Sequence, residues 1–201
     1  MNRMSVIKIF SMIVIAIFSF ESKALLISGQ DIIAAPAFVI DDAPGATNTH
    51  QQAFNEVQSY LLTSDLNVDS GTIAAGTMVD SHMIFLNTIG TAFVSDIRVD
   101  WGFDGDILGV MSDYAGNLEA ASSSFLGAAG TVYPSSFSAR GMEGNDAYLV
   151  TGSSINVSMY VTEPGDWIRV ITRSSVPEPS SLLLLGVGLL GLSLRKRVKA
   201  K

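Results

Sequence analysis

The chain has 201 residues, of which 48% are hydrophobic, and a formal net charge of −7. Residues 25–175 contain four arginines, no lysine and seventeen acidic residues, so this body has a formal charge of −13. An acidic body argues against binding to nucleic acid, whose phosphates require cations. The chain has no cysteine, which excludes disulfides, thiolate metal sites and cysteine nucleophiles.

The N-terminus has the three parts of a secretory signal peptide, over residues 1–24. Arg3 and Lys8 supply positive charge, an apolar run follows, and the small residues Ser22 and Ala24 predict cleavage after Ala24. An uncleaved anchor is the alternative, but the apolar run is shorter than the ~20 residues that span a bilayer. The secretion translocon and signal peptidase are therefore expected partners, and the body is expected outside the cytoplasm.

The stretch 50–62 fits two kinds of secondary structure. Its apolar residues fall on a helical stripe, whereas the β-formers Val57 and Tyr60 favour a strand over residues 54–62. Because strands are expected around it, we favour the strand. Residues 77–86 (TMVDSHMIFL) predict a further strand.

Asp80, Ser81 and His82 lie within this strand and are the residue types of a hydrolase triad. In a strand, Asp80 and His82 share one face and Ser81 points to the other, so the nucleophile would point away from the base. The chain has no G-x-S-x-G motif. We therefore expect His82 to be a surface or half-buried strand residue. With His50 as the only other histidine, a transition-metal site is not expected.

Residues 97–111 predict a β-hairpin. Apolar residues at alternate positions from Ile97 to Phe103 indicate a strand with one buried and one solvent-exposed face. Asp104-Gly105 then predicts the turn, since Asp-Gly is a strong hairpin signal.

Three aspartates around this turn, Asp100, Asp104 and Asp106, form the calcium candidate of the sequence, because hard carboxylates bind Ca²⁺. Their spacing is not that of an EF-hand loop, and Asp-Gly in a turn is explained by positive φ alone. The acidic stretch 143–146 (EGND) could also offer carboxylates to Ca²⁺, but it too lacks the spacing of an EF-hand loop and is explained by a turn. The sequence therefore predicts no metal site and no cofactor.

The second half of the body continues the β pattern. A short helix is predicted around residues 122–126, and strands over 155–162 and 167–172 flank a turn at 163–166 (EPGD). Turn residues punctuate these segments at intervals typical of an antiparallel sandwich. Residues 25–172 are therefore expected to form a mainly β ectodomain, a jelly-roll-like antiparallel β-sandwich.

The C-terminus combines a Pro-Glu-Pro triplet, an apolar run and a basic cluster. Residues 173–181 are rich in Ser and Pro and predict a stalk. The apolar run from Ser180 predicts a short transmembrane helix of about 22 Å, which is less than the ~30 Å of the hydrocarbon core. The basic residues that follow should stay cytoplasmic and stop the segment in the membrane; they are Arg195, Lys196 and Arg197.

The segment 176–201 resembles a PEP-CTERM sorting domain. The likeness rests on the order of Val176-Pro177-Glu178-Pro179, the apolar run and the basic cluster. It implies recognition by an exosortase, processing near the Pro-Glu-Pro triplet, and delivery to the cell surface of a bacterium that makes exopolysaccharide or biofilm matrix. These residues would then be a substrate motif for that membrane enzyme and not catalytic residues of this chain.

The body is similar to a β-rich ectodomain that recurs on PEP-CTERM tails. The likeness implies no catalytic residues. The segments that carry it are GTIAAGTMVDSHMIFLN, ILGVM, FLGAAGTVYP, RGME and PGDWIRVIT.

The sequence therefore predicts a structural or ligand-binding protein of the cell surface or extracellular matrix, without catalysis. A polysaccharide hydrolase is one alternative, which two carboxylates beside an exposed tryptophan would support. An adhesin that binds exopolysaccharide is the other. The exposure of Trp101 and Trp167 tests it, because an aromatic ring must face solvent to stack on a sugar.

Overall fold

The computed structural model describes residues 25–40 and 47–174, and this part of the chain is mainly β with one helix. The predicted signal peptide, the predicted sorting motif and the predicted transmembrane helix lie outside the described residues. The strands and the helix are β1 (Leu26–Ser28), β2 (Gln52–Asn55), β3 (Tyr60–Leu61), β4 (Leu66–Val68), β5 (Gly71–Ile73), β6 (Met78–Leu86), β7 (Val94–Phe103), β8 (Ile107–Met111), α1 (Asn117–Leu126), β9 (Ala147–Thr151), β10 (Ser154–Val161) and β11 (Asp166–Arg173).

Two antiparallel sheets share one apolar core. The front sheet has the order β1-β7-β10-β9, and the back sheet has the order β2-β6-β11-β8, with β3 also paired to β6. Strands β4 and β5 form a separate two-stranded sheet. Trp101 and Met159 from the front sheet and Ile84 and Val170 from the back sheet belong to the same core cluster. The prediction of a mainly β, antiparallel fold is confirmed, and its likeness to a jelly roll stays a prediction.

The burial of each strand follows from its place in these sheets. Along β10, buried residues alternate with more exposed ones, as the period of two in the sequence predicts. Strands β6 and β11 lie in the middle of the back sheet and are buried along nearly their whole length. Their outer face is covered by α1 and by loop residues, so both faces of each strand are buried.

The hairpin predicted at Asp104-Gly105 is wrong, and the strands that flank the turn at residues 163–166 do not pair with each other either. Asp104-Gly105 joins β7 of the front sheet to β8 of the back sheet, and residues 163–166 join β10 of the front sheet to β11 of the back sheet. A turn motif predicts a change of chain direction. It does not tell whether the next strand pairs with the preceding one or crosses to the facing sheet. Both turns are links between the two layers.

Strand β7 departs from the predicted alternation at Ile97. Arg98 has a φ of 57°, and the pairing of β7 with β10 shifts its register at this point. The extra residue forms a β-bulge, which changes the face to which the neighbouring side chains point. Ile97 is 47% exposed, whereas Trp101 and Phe103 are buried. The expected burial is therefore wrong for Ile97 and confirmed for the other two.

Residues 50–62 contribute two short strands, β2 and β3, and no helix. Both strands pair with β6, so the preference for strand over helix is confirmed. A single strand over residues 54–62 is wrong, since irregular chain separates the two pieces.

Helix α1 confirms the helix expected around residues 122–126 and begins earlier. The carboxylate of Asp113 accepts the backbone N–H groups of Asn117 and Leu118, both at 2.9 Å, and so caps the first turn. Gly127 follows the last helical residue. Within the described ranges, no helix combines the length and the apolar character needed to cross a membrane.

Candidate functional sites

A group of buried charges joins α1 to the back sheet. Arg169, in β11, donates from Nε and Nη2 to the two carboxylate oxygens of Glu56 at 2.7 and 2.8 Å. Its Nη1 donates to the carbonyl of Glu119 at 2.6 Å and to Ser122 Oγ at 2.7 Å, both in α1. Ser81 Oγ completes the environment of Glu56 by donating to it at 2.6 Å. Every strong donor and acceptor of the Arg169–Glu56 pair thus has a partner.

A second arginine extends this group. Arg140 forms an ion pair with Glu119 and donates from Nη1 to the carbonyl of Gly116 at 3.1 Å. Burial, and then the nearby cation of Arg169, lower the pKa of Arg140 to about 10, which leaves it charged at neutral pH. Two arginines balance two glutamates, and these four side chains are at most 1% exposed. Because no substrate can reach them, they anchor the fold and do not form an active site.

His82 is fully buried, so the prediction of a surface or half-buried histidine is wrong. Its Nδ1 lies 2.8 Å from Asn55 Oδ1, and its Nε2 lies 3.0 Å from Thr172 Oγ1. Burial lowers the pKa of His82 to about 3, so the ring is neutral at ordinary pH. Ser81, its neighbour in β6, points to the other face and bonds to Glu56. The opposite orientation of Ser81 and His82, expected from the strand geometry, separates the two groups that a hydrolase would need together.

Both tryptophans are 0% exposed. Trp101 donates from Nε1 to Gln51 Oε1 at 3.1 Å, inside the core between the sheets. Trp167 packs edge-on against Phe137, with ring centroids 6.0 Å apart, on the outer face of the back sheet. Neither ring faces solvent, so neither can stack on a sugar.

Three carboxylates meet where the front sheet passes into the back sheet. Glu143 and Asp146 lie in the segment before β9, and Asp166 is the first residue of β11. One carboxylate oxygen from each lies within 4.8 Å of the other two. Asp146 is held by two backbone amides, since Oδ2 accepts the N–H of Glu143 at 2.8 Å and Oδ1 accepts that of Tyr160 at 2.7 Å. We call these three residues the acidic cluster.

Burial and mutual repulsion act on the three carboxyl groups of the acidic cluster. Burial, and then the charges of Asp146 and Glu143, raise the pKa of Asp166 to about 9. Burial also raises the pKa of Glu143 and that of Asp146. Across the described residues, none of the ion pairs involves a member of the cluster. Such a set of hard oxygen atoms without a counter-charge suits a divalent cation.

The calcium candidate of the sequence is arranged differently. Asp100 accepts a hydrogen bond from Asn156 Nδ2 at 2.6 Å, and Asp104 accepts the backbone N–H of Leu25 at 2.6 Å. Asp106, like these two, is exposed. Among the described residues, the three carboxylates that come within ligand distance of one another are those of the acidic cluster instead.

The sequence alone does not indicate the buried ion-pair group, and of the acidic cluster it points only to the stretch 143–146. Arg169 is the one charged residue in the apolar run WIRVIT, and an isolated charge in such a run requires a buried partner. Nothing in the sequence identifies that partner as Glu56. Asp166 lies in the predicted turn at residues 163–166, and only the crossing of the chain between the sheets brings it to Glu143 and Asp146.

Comparison with known proteins bears on the tail. Residues 175–197 match the family model of the PEP-CTERM protein-sorting motif, which covers the Pro-Glu-Pro triplet and the basic residues Arg195, Lys196 and Arg197. No curated protein and no solved structure matches the chain. The chain therefore carries the PEP-CTERM sorting motif expected from its sequence, which indicates an exported protein that is sorted by an exosortase, a membrane enzyme, and is anchored in the membrane during sorting.

Proposed function

We propose that the chain is an exported cell-surface or extracellular-matrix protein whose ectodomain, residues 25–172, has a structural or ligand-binding role without catalysis. Signal peptidase removes residues 1–24. An exosortase-type enzyme then acts near Val176-Pro177-Glu178-Pro179 and delivers the ectodomain to the surface. The observation that carries this proposal is the sorting motif at residues 175–197.

The physical character of the tail supports this role. The two prolines remove backbone donors and favour an extended segment, which an enzyme cleft can bind. The apolar run is short for a permanent span, while the basic cluster resists translocation and holds it in the membrane. Such a segment is suited to a transient anchor at which the chain waits for processing.

The start of the ectodomain supports removal of the signal peptide after Ala24. Strand β1 begins at Leu26, whose N–H donates to Asn55 Oδ1 at 2.9 Å. The backbone nitrogen of Leu25 lies 2.6 Å from Asp104 Oδ1. In a chain that begins at Leu25, this nitrogen is an ammonium group, which pairs with a carboxylate more strongly than an amide does.

The two alternative functions, a polysaccharide hydrolase and an adhesin that binds exopolysaccharide, have little support from the described residues. Stacking on exopolysaccharide through Trp101 or Trp167 is not available to buried rings. A retaining glycosidase needs two carboxyl groups about 5 to 5.5 Å apart on either side of a sugar. In the acidic cluster Asp166 is buried, and neither tryptophan is exposed beside it, so a sugar cannot lie between two of these carboxylates.

The test replaces Pro177, Glu178 and Pro179 with alanine in the native bacterium. Export should persist, while the C-terminal tail stays attached and delivery to the surface is lost. Replacement of Ser180 and Ser181, which flank the triplet, is the matched control and should leave processing unchanged. Mass spectrometry of the protein locates both termini and any attached glycan or lipid. A triplet variant with the wild-type mature mass and surface level would refute the proposal.

A further inference from the structure

We propose that the acidic cluster, Glu143, Asp146 and Asp166, binds one Ca²⁺ ion. The ion would hold the start of β11 in the back sheet against the segment that leads into β9 of the front sheet. The inference concerns the ectodomain alone, so it does not rest on the sorting function proposed above.

The spacing of the oxygen atoms fits this ion. Ca²⁺–O distances are about 2.3–2.6 Å, so two ligands of one Ca²⁺ ion can be up to about 4.8 Å apart. The three carboxylate oxygens lie within that distance of one another. Mg²⁺ demands shorter bonds and a near-regular octahedron, whereas Ca²⁺ accepts irregular sets of six to eight oxygens. Glu143 is partly exposed, which leaves room for water to complete the shell.

The cluster is already organised before any ion arrives. The two amide groups that hold Asp146 fix its carboxylate in both position and orientation. Each carboxylate oxygen has a further lone pair, so these hydrogen bonds leave Asp146 able to bind a metal. Asp166 is fixed by its place at the start of β11, where it pairs with Leu86 of β6. Binding would therefore require little ordering of the chain.

Asp166 supplies an independent observation that points to a ligand. The residue is 2% exposed, and its Oδ2 accepts no hydrogen bond from any of the described residues. The carboxylates of Asp146 and Glu143 face it, and these groups are themselves acceptors. A buried acceptor without a donor is costly, and buried charges in proteins are paired or bound to metals. Only a proton or a cation can satisfy Asp166 in this position.

The experiment uses the full chain in detergent, freed of metals by a chelator. Isothermal titration with CaCl₂ measures the affinity and the stoichiometry of binding, which should be one ion per chain. Thermal unfolding with Ca²⁺ provides the second measurement. At a Ca²⁺ concentration about 100 times a dissociation constant of about 10⁻⁴ M, which is common for extracellular modules, the melting temperature should rise by about 5–10 °C.

Asp166→Asn and Glu143→Gln keep the shape of each side chain and remove one ligand charge. Both variants should fold, and both should lose most of the Ca²⁺-dependent rise. Asp100→Asn, at an exposed carboxylate outside the cluster, is the matched control and should respond like the wild type. The proposal is overturned if the wild type shows no Ca²⁺-dependent rise, or if Asp166→Asn responds equally. An equal response to Mg²⁺ overturns the assignment to Ca²⁺.

Discussion

Arg169 and Glu56 form a bidentate ion pair between positions 113 residues apart in the chain, at 2.7 and 2.8 Å, with neither side chain exposed. Glu56 directly follows β2, at one edge of the back sheet, and Arg169 lies in the central strand β11. The pair explains why an apolar strand contains a charged residue. It also specifies the position of α1, because the same guanidinium binds the helix through Glu119 and Ser122.

Removal of one partner of this pair should strongly destabilise the ectodomain. We expect Glu56→Gln to lower the free energy of unfolding by about 3–5 kcal/mol, because Arg169 and Arg140 would then share the single carboxylate of Glu119 and one buried cation would lack a counter-charge. Urea denaturation of the variant and the wild type measures the difference. Asp31→Asn, in the partly exposed Asp31–His50 pair, is the control and should cost less than about 1 kcal/mol. Equal losses in the two variants would contradict the structural role of the buried pair.

The buried His82 should make the ectodomain sensitive to acid. Because burial lowers its pKa from 6.5 to about 3, the folded state binds a proton less readily than the unfolded state. The stability associated with the neutral ring of His82 is present above pH 6.5. It is lost as the pH falls from 6.5 towards 3, by up to about 1.4 kcal/mol per pH unit.

The comparison of His82→Gln with the wild type isolates this effect from the titration of the carboxylates. The wild type should lose stability more steeply than the variant between about pH 6 and 4 in denaturant titrations. Parallel pH profiles of His82→Gln and the wild type would show that His82 is not titrating in this way.

The parts of the fold that could be predicted are those that depend on local pattern. The alternation along β10 follows from its neighbours in the chain, and so does the end of α1 at Gly127. The sorting motif is likewise a contiguous pattern, which needs no knowledge of the fold. Each of these features is determined by one contiguous stretch of sequence.

The features that could not be predicted depend on which sheet a strand joins. The turn at Asp104-Gly105 has the sequence of a hairpin turn, yet the strands on either side of it lie in different sheets. The exposure of Ile97 depends on a bulge in the pairing with β10, and the burial of His82 depends on the layers on both sides of β6. The acidic cluster is of the same kind, since its residues become neighbours only when the two sheets are in place.

Asp166 should cost the metal-free ectodomain stability as the pH rises. Its pKa is raised to about 9 in the folded state, from a usual value of 3.8, so folding favours the protonated form. The stability that the protonated Asp166 contributes to the folded state is fully present below pH 3.8 and is lost as the pH rises through about 9. Asp166→Asn lacks this loss, so in the presence of a chelator its stability relative to the wild type should increase with pH and level off above about 9. A constant difference across this range in urea titrations would contradict the raised pKa, whatever the outcome of the Ca²⁺ experiment.

The pairing of Leu25 with Asp104 gives a test of where the mature chain begins. If signal peptidase cleaves after Ala24, the nitrogen that lies 2.6 Å from Asp104 Oδ1 is an ammonium group. Asp104→Asn should then destabilise a chain that begins at Leu25 more than one that retains Ala24, because only the first loses a charge–charge interaction. The difference between the two losses should be up to about 1 kcal/mol, as for other exposed ion pairs. Intact-mass measurement of the exported protein provides the direct check, and a mature form that keeps residues 1–24 would rule out both the cleavage and the ammonium–carboxylate pair.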